Sequence, residues 1–273
     1  MLTIGCHLST DRGYEHMAEQ ANSINANTLQ YFTRNPRGGA QRALNQKDVE
    51  AFNEYAKAHD IVYPMGYAPY DLEPAQSDMS KQDFAITVML EDISRLELMP
   101  GSRYLLRPGS AADTPKEDAI ANVSKVLSKV LESNDKIPVL IVNMPGEGTQ
   151  VGSTFEEIAE ILDGVKSDKA GFCLDASSAY AAGYDIVNDL DGVLEKIDST
   201  IGLDKLLAVH LNDIKEDLGS KADRHARIGE GKIGFDALKA MTVHPKLANL
   251  PFYLEEPEAD LVIYEHDVEK FRG

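Results

Sequence analysis

The feature that most constrains this chain is a rhythm. Short β-rich runs recur at Thr3–His7, Thr28–Thr33, Ile61–Ala68, Arg103–Arg107, Pro138–Val142, Gly171–Asp175, Leu206–His210 and Pro251–Glu255. Helical patterns fill the gaps at Tyr14–Ile24, Asp48–Ala58, Lys81–Leu98, Pro115–Glu132, Phe155–Val165, Val187–Ile197 and Phe235–Met241. Strands that alternate with helices pair in parallel, because each helix carries the chain back to the same end of the sheet. Eight strands is the number that closes into a (β/α)₈ barrel, and 273 residues is a usual length for one. The expectation is an α/β fold, a single TIM-barrel domain over residues 1–273. No linker, low-complexity tract or charge block divides the chain.

Helix starts are marked locally. Thr114-Pro115-Lys116-Glu117 reads as a capping box with proline at the first helical position, and Thr154 with Glu157 repeats the pattern. Ile120, Val123, Leu127, Val130 and Leu131 then keep to one helical face.

Composition limits the function classes. At 43% hydrophobic residues the chain can bury a sizeable core. No apolar run approaches the ~20 residues of a membrane span, and the first residues lack a basic stretch followed by an apolar one. Neither a span nor a secretory signal is expected. The two cysteines, Cys6 and Cys173, lie in apolar stretches, so a disulfide framework is excluded and a reducing cytoplasm is the simple inference. Asp and Glu total 45 against 27 Lys and Arg, a net charge of −18. That field repels a nucleic acid, so binding one requires a local cationic site of clustered arginine or bound metal. Otherwise the acidity serves solubility alone.

In a barrel of this kind the site is built at the C-terminal ends of the strands. Read in order, those positions are His7, Thr33-Arg34-Asn35-Pro36-Arg37-Gly38-Gly39, Tyr67, Arg107, Val142, Asp175, His210 and Glu255. Asp175, His210 and Glu255 each end an otherwise apolar strand. Two carboxylates and an imidazole at one mouth suit a divalent cation, zinc or manganese; the alternative is three buried polar residues satisfied by hydrogen bonds. His7 reads as a hydrogen-bonded core histidine. Asp223-Arg224-His225 places two further ligand types on one side of an extended loop. The glycines of Gly229-Glu230-Gly231-Lys232-Ile233-Gly234 allow tight turns and close backbone approach, but no strand–GxGxxG–helix context makes them a dinucleotide site.

Several of these stretches resemble the endonuclease IV family of DNA repair enzymes. The resemblance runs from Ile4-Gly5-Cys6-His7-Leu8-Ser9 to Phe252-Tyr253-Leu254-Glu255. It is most specific at Cys173-Leu174-Asp175, Ala181-Ala182-Gly183-Tyr184-Asp185, His210-Leu211-Asn212-Asp213, Asp223-Arg224-His225, Gly229-Glu230-Gly231 and Ile233-Gly234. It implies a zinc-dependent TIM barrel that cuts the backbone of duplex DNA at apurinic or apyrimidinic sites.

The resemblance also implies a three-metal cluster, in which four ligand positions are altered here. Tyr67 and Arg107 replace histidines, Val142 replaces a glutamate that bridges two metals, and Ser178 replaces a third histidine. Asp175, His210, Glu255, Asp223 and His225 remain. Loss of Tyr67, Arg107 and Val142 as ligands removes one metal. Asp175, His210 and Glu255 then imply one firm metal, with catalytic work resting on those three, while Asp223 and His225 imply a second, weakly held one.

Arg34, Asn35 and Arg37 resemble a loop that enters the DNA minor groove, and Tyr70 an aromatic residue near the damaged nucleotide; a solubilising surface loop is the alternative reading of Arg34 and Arg37. Arg107 either binds an anionic group or pairs with Asp175 or Glu255 and locks the site. The implied protein is a cytoplasmic monomer acting on abasic DNA with weak or no cleavage. A non-catalytic relative that binds damaged DNA or a partner protein is the alternative, and a single-metal sugar isomerase or epimerase a further one.

Overall fold

The computed structural model describes residues 1–36, 41–258 and 260–273. Eight parallel strands close on themselves: β1 (Ile4–His7), β2 (Thr28–Phe32), β3 (Met65–Tyr67), β4 (Arg103–Leu106), β5 (Val139–Val142), β6 (Ala170–Asp175), β7 (Leu206–His210) and, after a short antiparallel ribbon of β8 (Asp213–Ile214) and β9 (His225–Ala226), β10 (Phe252–Leu254). β1 pairs with both β2 and β10, which completes the (β/α)₈ barrel. The outer layer contains α1 (Tyr14–Ser23), α2 (Gln46–Ala58), α3 (Met79–Leu96), α4 (Lys116–Glu132), α5 (Phe155–Val165), α7 (Leu190–Thr200), α8 (Gly234–Val243) and α9 (Leu261–Arg272). A short α6 (Ala176–Ala182) follows β6 directly. None of the described helices is long and apolar enough to cross a membrane.

The strand period of two sorts the apolar residues into two layers. Met65, Leu105, Leu140, Cys173, Ala208 and Tyr253 fill the barrel interior, while Leu106, Val139, Phe172, Val209 and Phe252 pack outward against the helices. Counting two residues on from the interior set reaches Tyr67, Arg107, Val142, Asp175, His210 and Glu255. The rhythm that closes the barrel thus also turns one residue per strand into its mouth.

Local chemistry moved several boundaries. The run Ile61–Ala68 yields only the three residues of β3, because Tyr63 adopts φ 52° and Pro64 has no N–H for the ladder. Thr114 does not cap α4, whose N-cap is Pro115; its Oγ1 accepts from Ser77 N instead. Thr154 does cap α5, accepting from Glu157 N at 3.2 Å, while the Glu157 carboxylate takes the N–H groups of Gly152 and Ser153. The helix expected from Val187 starts at Leu190, where Asp189 accepts from Gly192 N. α6, α9 and the ribbon were not expected from the sequence.

The ribbon and the glycine-rich segment close around one carboxylate. Asp213, wholly buried, accepts from the N–H groups of Ile214, Gly229, Gly231, Ile233 and Gly234 at 2.9–3.3 Å. A Cβ on Gly231 would lie 2.3 Å from Asp213 Oδ1, so only glycine admits this approach. The segment wraps an internal anion and thereby fixes the loop that carries Asp223 and His225.

Candidate functional site

Asp175 ends β6 and also caps α6. Its Oδ1 accepts from Ser178 N at 2.8 Å and Ser177 Oγ at 2.7 Å, and its Oδ2 accepts from Asn212 Nδ2 at 2.8 Å. Oδ2 also meets His210 Nδ1 at 3.2 Å, as the register of β6 against β7 requires. Asn143, just past β5, clamps the Asp175 backbone, accepting its N–H at 2.7 Å and donating to its carbonyl at 3.1 Å.

The second nitrogen of His210, Nε2, lies 2.7 Å from Gln30 Oε1. Both ring nitrogens are therefore occupied by protein groups, and the Asp175 carboxylate favours the charged form of the ring. Burial opposes that charge, but Cys173 and Asp175 favour it, and the balance sets the His210 pKa well above its ordinary value. Burial likewise would raise the Asp175 carboxyl, yet the hydrogen bond and charge of His210 hold it below the usual range. Gln30 Nε2 in turn contacts His7 Nδ1 at 3.0 Å, which places His7 as the hydrogen-bonded core residue expected.

Glu255 stands slightly apart. Its N–H donates to Asn212 Oδ1 at 3.1 Å, and its carboxylate comes within 3.9 Å of His7 Nδ1, too far for a hydrogen bond. Burial pushes its carboxyl up, but His7, His225, His210 and Arg107 together bring it below its ordinary pKa. His225 donates from Nδ1 to the Glu255 carbonyl at 3.1 Å, and its Nε2 lies 3.5 Å from Asp223 Oδ1. Burial works against its charge, yet Asp223, Glu255 and Asp175 raise its pKa to about 9. Ser178 Oγ donates to Asp223 Oδ2 at 3.2 Å.

The opposite side of the mouth is aromatic. Arg107 Nε donates to Tyr67 OH at 2.8 Å, and its guanidinium carbon lies 4.0 Å over the Tyr70 ring. Phe32 packs against both tyrosines, with ring centroids 5.5 Å from Tyr67 and 5.1 Å from Tyr70. Arg107 does not pair with Asp175 or Glu255, and its terminal nitrogens have no hydrogen-bond partner among the described residues. Val142 is buried beside it. Tyr67, Arg107 and Val142, with Asn143, Gln150, Ser178 and the carboxylates Glu147, Asp175 and Asp223, line a cavity of about 130 Å³.

These contacts test the fit of a metal. A ligating histidine presents one bare nitrogen and orients itself through the other. In this structure both nitrogens of His210 and both oxygens of Asp175 are engaged by protein groups, and the position implied to bridge two ions is the hydrocarbon of Val142. Among the described residues no three His, Cys, Asp or Glu side chains are grouped to hold an ion. The residues do not fit a trinuclear cluster. Of the three residues expected to form one firm metal site, Asp175 and His210 hydrogen-bond to each other and to Asn212 and Gln30, while the Glu255 carboxylate stands 3.9 Å from His7 Nδ1. Asp223 Oδ2 accepts from Ser178 Oγ, its buried Oδ1 has no hydrogen-bond partner among the described residues, and both Asp223 and Ser178 border the cavity.

Arg34 also departs from expectation. Its Nε and Nη2 donate to Asp92 Oδ1 at 3.1 and 2.7 Å, and Glu91 lies 3.2 Å from Nη2. With 6% of its side chain exposed, it is a structural ion pair rather than a group offered to a phosphate. Asn35 is exposed in the same loop, and Arg37 lies outside the described residues. Tyr70 is 39% exposed beside the cavity. Sequence reasoning missed Gln30, Asn143 and Asp92 as organisers of the mouth. Their signals were a glutamine inside a strand, an amide directly after one, and an acid on the apolar stripe of α3 between Val88, Met89, Ile93 and Leu96.

Comparisons with known proteins agree with the barrel fold. The family described as Xylose isomerase-like TIM barrel, AP_endonuc_2, matches residues 18–272. A probable endonuclease 4 from Clostridium botulinum is 46% identical over 100% of this chain and 99% of its own length. The chain belongs to the endonuclease IV family. Endonuclease IV from Thermus thermophilus superposes with a TM-score of 0.87 at 30% identity, covering 99% of this chain and 97% of that one. A D-tagatose 3-epimerase-like protein reaches a TM-score of 0.74 at 18% identity, a likeness of fold alone. The endonuclease IV family is metal-dependent, which makes the internal bonding of Asp175 and His210 a feature to be accounted for.

Proposed function

We propose that this chain acts in DNA repair as an endonuclease IV-type protein directed at abasic sites in duplex DNA, and that it holds the backbone phosphate through Arg107 with weak or no cleavage. The observation that carries this reading is the Arg107 guanidinium, fixed by Tyr67 and Tyr70 with its terminal nitrogens unpartnered beside a polar cavity. A guanidinium fork matches two phosphate oxygens, and its charge does not depend on pH in the working range. At about 130 Å³ the cavity is well below the ~300 Å³ of an ordinary ligand pocket, room for one small group rather than a whole nucleotide. An abasic nucleotide has no base to unstack, so extruding it toward the mouth costs little.

In this reading the local cation that a chain of charge −18 needs is part of the protein. Arg107 supplies a permanent charge, and the His210 imidazolium compensates Asp175 so that carboxylate repels the phosphate less. A zinc or manganese ion at Asp175, His210 and Glu255 would require His210 to leave Gln30 or Asp175. No step of the binding reading needs it. Val142 stands where the resemblance implies a metal-bridging glutamate, which is why cleavage is expected to be weak or absent.

The test is binding and incision of a duplex with one abasic analogue, using protein purified without chelator and analysed for metal. The expected result is preference for abasic over undamaged duplex that persists in EDTA, less than one metal per chain, and little product. Arg107→Ala should weaken abasic binding about tenfold, the order of one charge-assisted hydrogen-bonded contact. Rapid incision abolished by EDTA, with one or more bound metals per chain, would overturn the proposal.

A further inference from the structure

Asp92 lies on α3, in the apolar layer between helices and barrel, and is wholly buried. A carboxylate persists in such surroundings only when donors enclose it. Its Oδ2 accepts from Thr33 Oγ1 at 2.7 Å and Tyr104 OH at 2.9 Å. Its Oδ1 accepts from Arg34 Nε and Nη2, and from Gln41 Nε2. One side chain of the outer layer thus gathers β4 and the segments on either side of residues 37–40.

The ties through Thr33, Arg34 and Tyr104 lead toward Arg107. Thr33 donates its N–H to the Tyr67 carbonyl at 3.1 Å, and the Tyr67 phenol receives Arg107 Nε. Arg34 lies two residues before Pro36, whose carbonyl accepts from Tyr70 N at 2.9 Å; the Tyr70 ring lies beneath the guanidinium. Tyr104 stands on β4, three residues before Arg107. We infer that Asp92 is a positioning residue, which sets the direction of the Arg107 guanidinium without touching the ligand. The inference deepens the abasic-phosphate reading and rests on it for its functional consequence.

The test is Asp92→Asn, which keeps the size and removes the charge, read in two ways on the full chain. The first is the rate at which phenylglyoxal labels Arg107, mapped by peptide mass and normalised to Arg42, whose side chain is 68% exposed. A loosened guanidinium should label several-fold faster. The second is affinity for the abasic duplex, which should fall about tenfold in the wild-type background and not change in an Arg107→Ala background, as expected of two residues acting through one contact. Unchanged labelling of Arg107 would overturn the inference, as would an equal loss of affinity with and without Arg107. If wild-type protein fails to distinguish abasic from undamaged duplex, the functional reading fails and the labelling still decides the role of Asp92. Should Asp92→Asn not fold, Thr33→Val and Gln41→Ala each remove one donor and should speed labelling; no change in either would overturn it.

Discussion

The two halves of the barrel mouth are built on opposite plans. At the ends of β6 and β7, both carboxylate oxygens of Asp175 and both ring nitrogens of His210 are engaged by protein groups, while Glu255, after β10, is bonded through its backbone N–H and carbonyl. At the ends of β3, β4 and β5, Arg107 is held by one nitrogen and by the face of a ring, and its remaining donors border a cavity. The first half carries more ionisable groups, yet the second has the more available charge. A polar residue at a strand end serves a ligand only if the fold leaves its bonding unfinished. The side that keeps more of the family's ligands is therefore the side with less to offer.

Four variants would break or sharpen that contrast. The largest effect is expected from Asp175→Ala, which leaves the His210 charge buried without its counter-ion and strips partners from Ser178 N and Asn212. Losing one member of a buried pair costs about 3–5 kcal/mol, to be read from urea unfolding. Arg107→Ala should stay within about 1 kcal/mol in the same assay, and equal losses would erase the distinction between the halves.

Next comes the triple change Tyr67→His, Arg107→His and Val142→Glu, which returns to the cavity side the ligand types that the family resemblance implies. Zinc content should rise to at least one per chain. EDTA-sensitive incision should increase by about a hundredfold or more, equivalent to roughly 2.7 kcal/mol of barrier. No gain in either would mean that the network at His210 excludes metal whatever its neighbours are. The smallest effect is expected from Tyr70→Phe. The ring rather than the hydroxyl meets Arg107, so abasic affinity should change by less than about twofold, within the weight of a minor contact.

Much of the mouth was legible in the sequence. Tyr67, Arg107, Val142, Asp175, His210 and Glu255 follow from finding strands and counting to their ends, and all six do stand at the mouth. Arg34 shows the limit of that method. A basic residue in a loop reads as exposed, and nothing nearby in sequence reveals that Asp92, on a helix 58 residues away, neutralises it. The capping box at Thr114 fails similarly, since the hydroxyl finds Ser77 across the fold.

The sequence by itself determined the barrel. Apolar alternation and helical spacing are local properties, and together they dictate which residues face inward and how many strands close. The tertiary structure alone decided which mouth residues are free to act. Whether His210 has a nitrogen to spare depends on Gln30, 180 positions away, and whether Arg107 is locked or available depends on rings delivered by another strand and loop. Hydrogen-bonding capacity is settled by neighbours in space, and those neighbours meet only when the barrel closes.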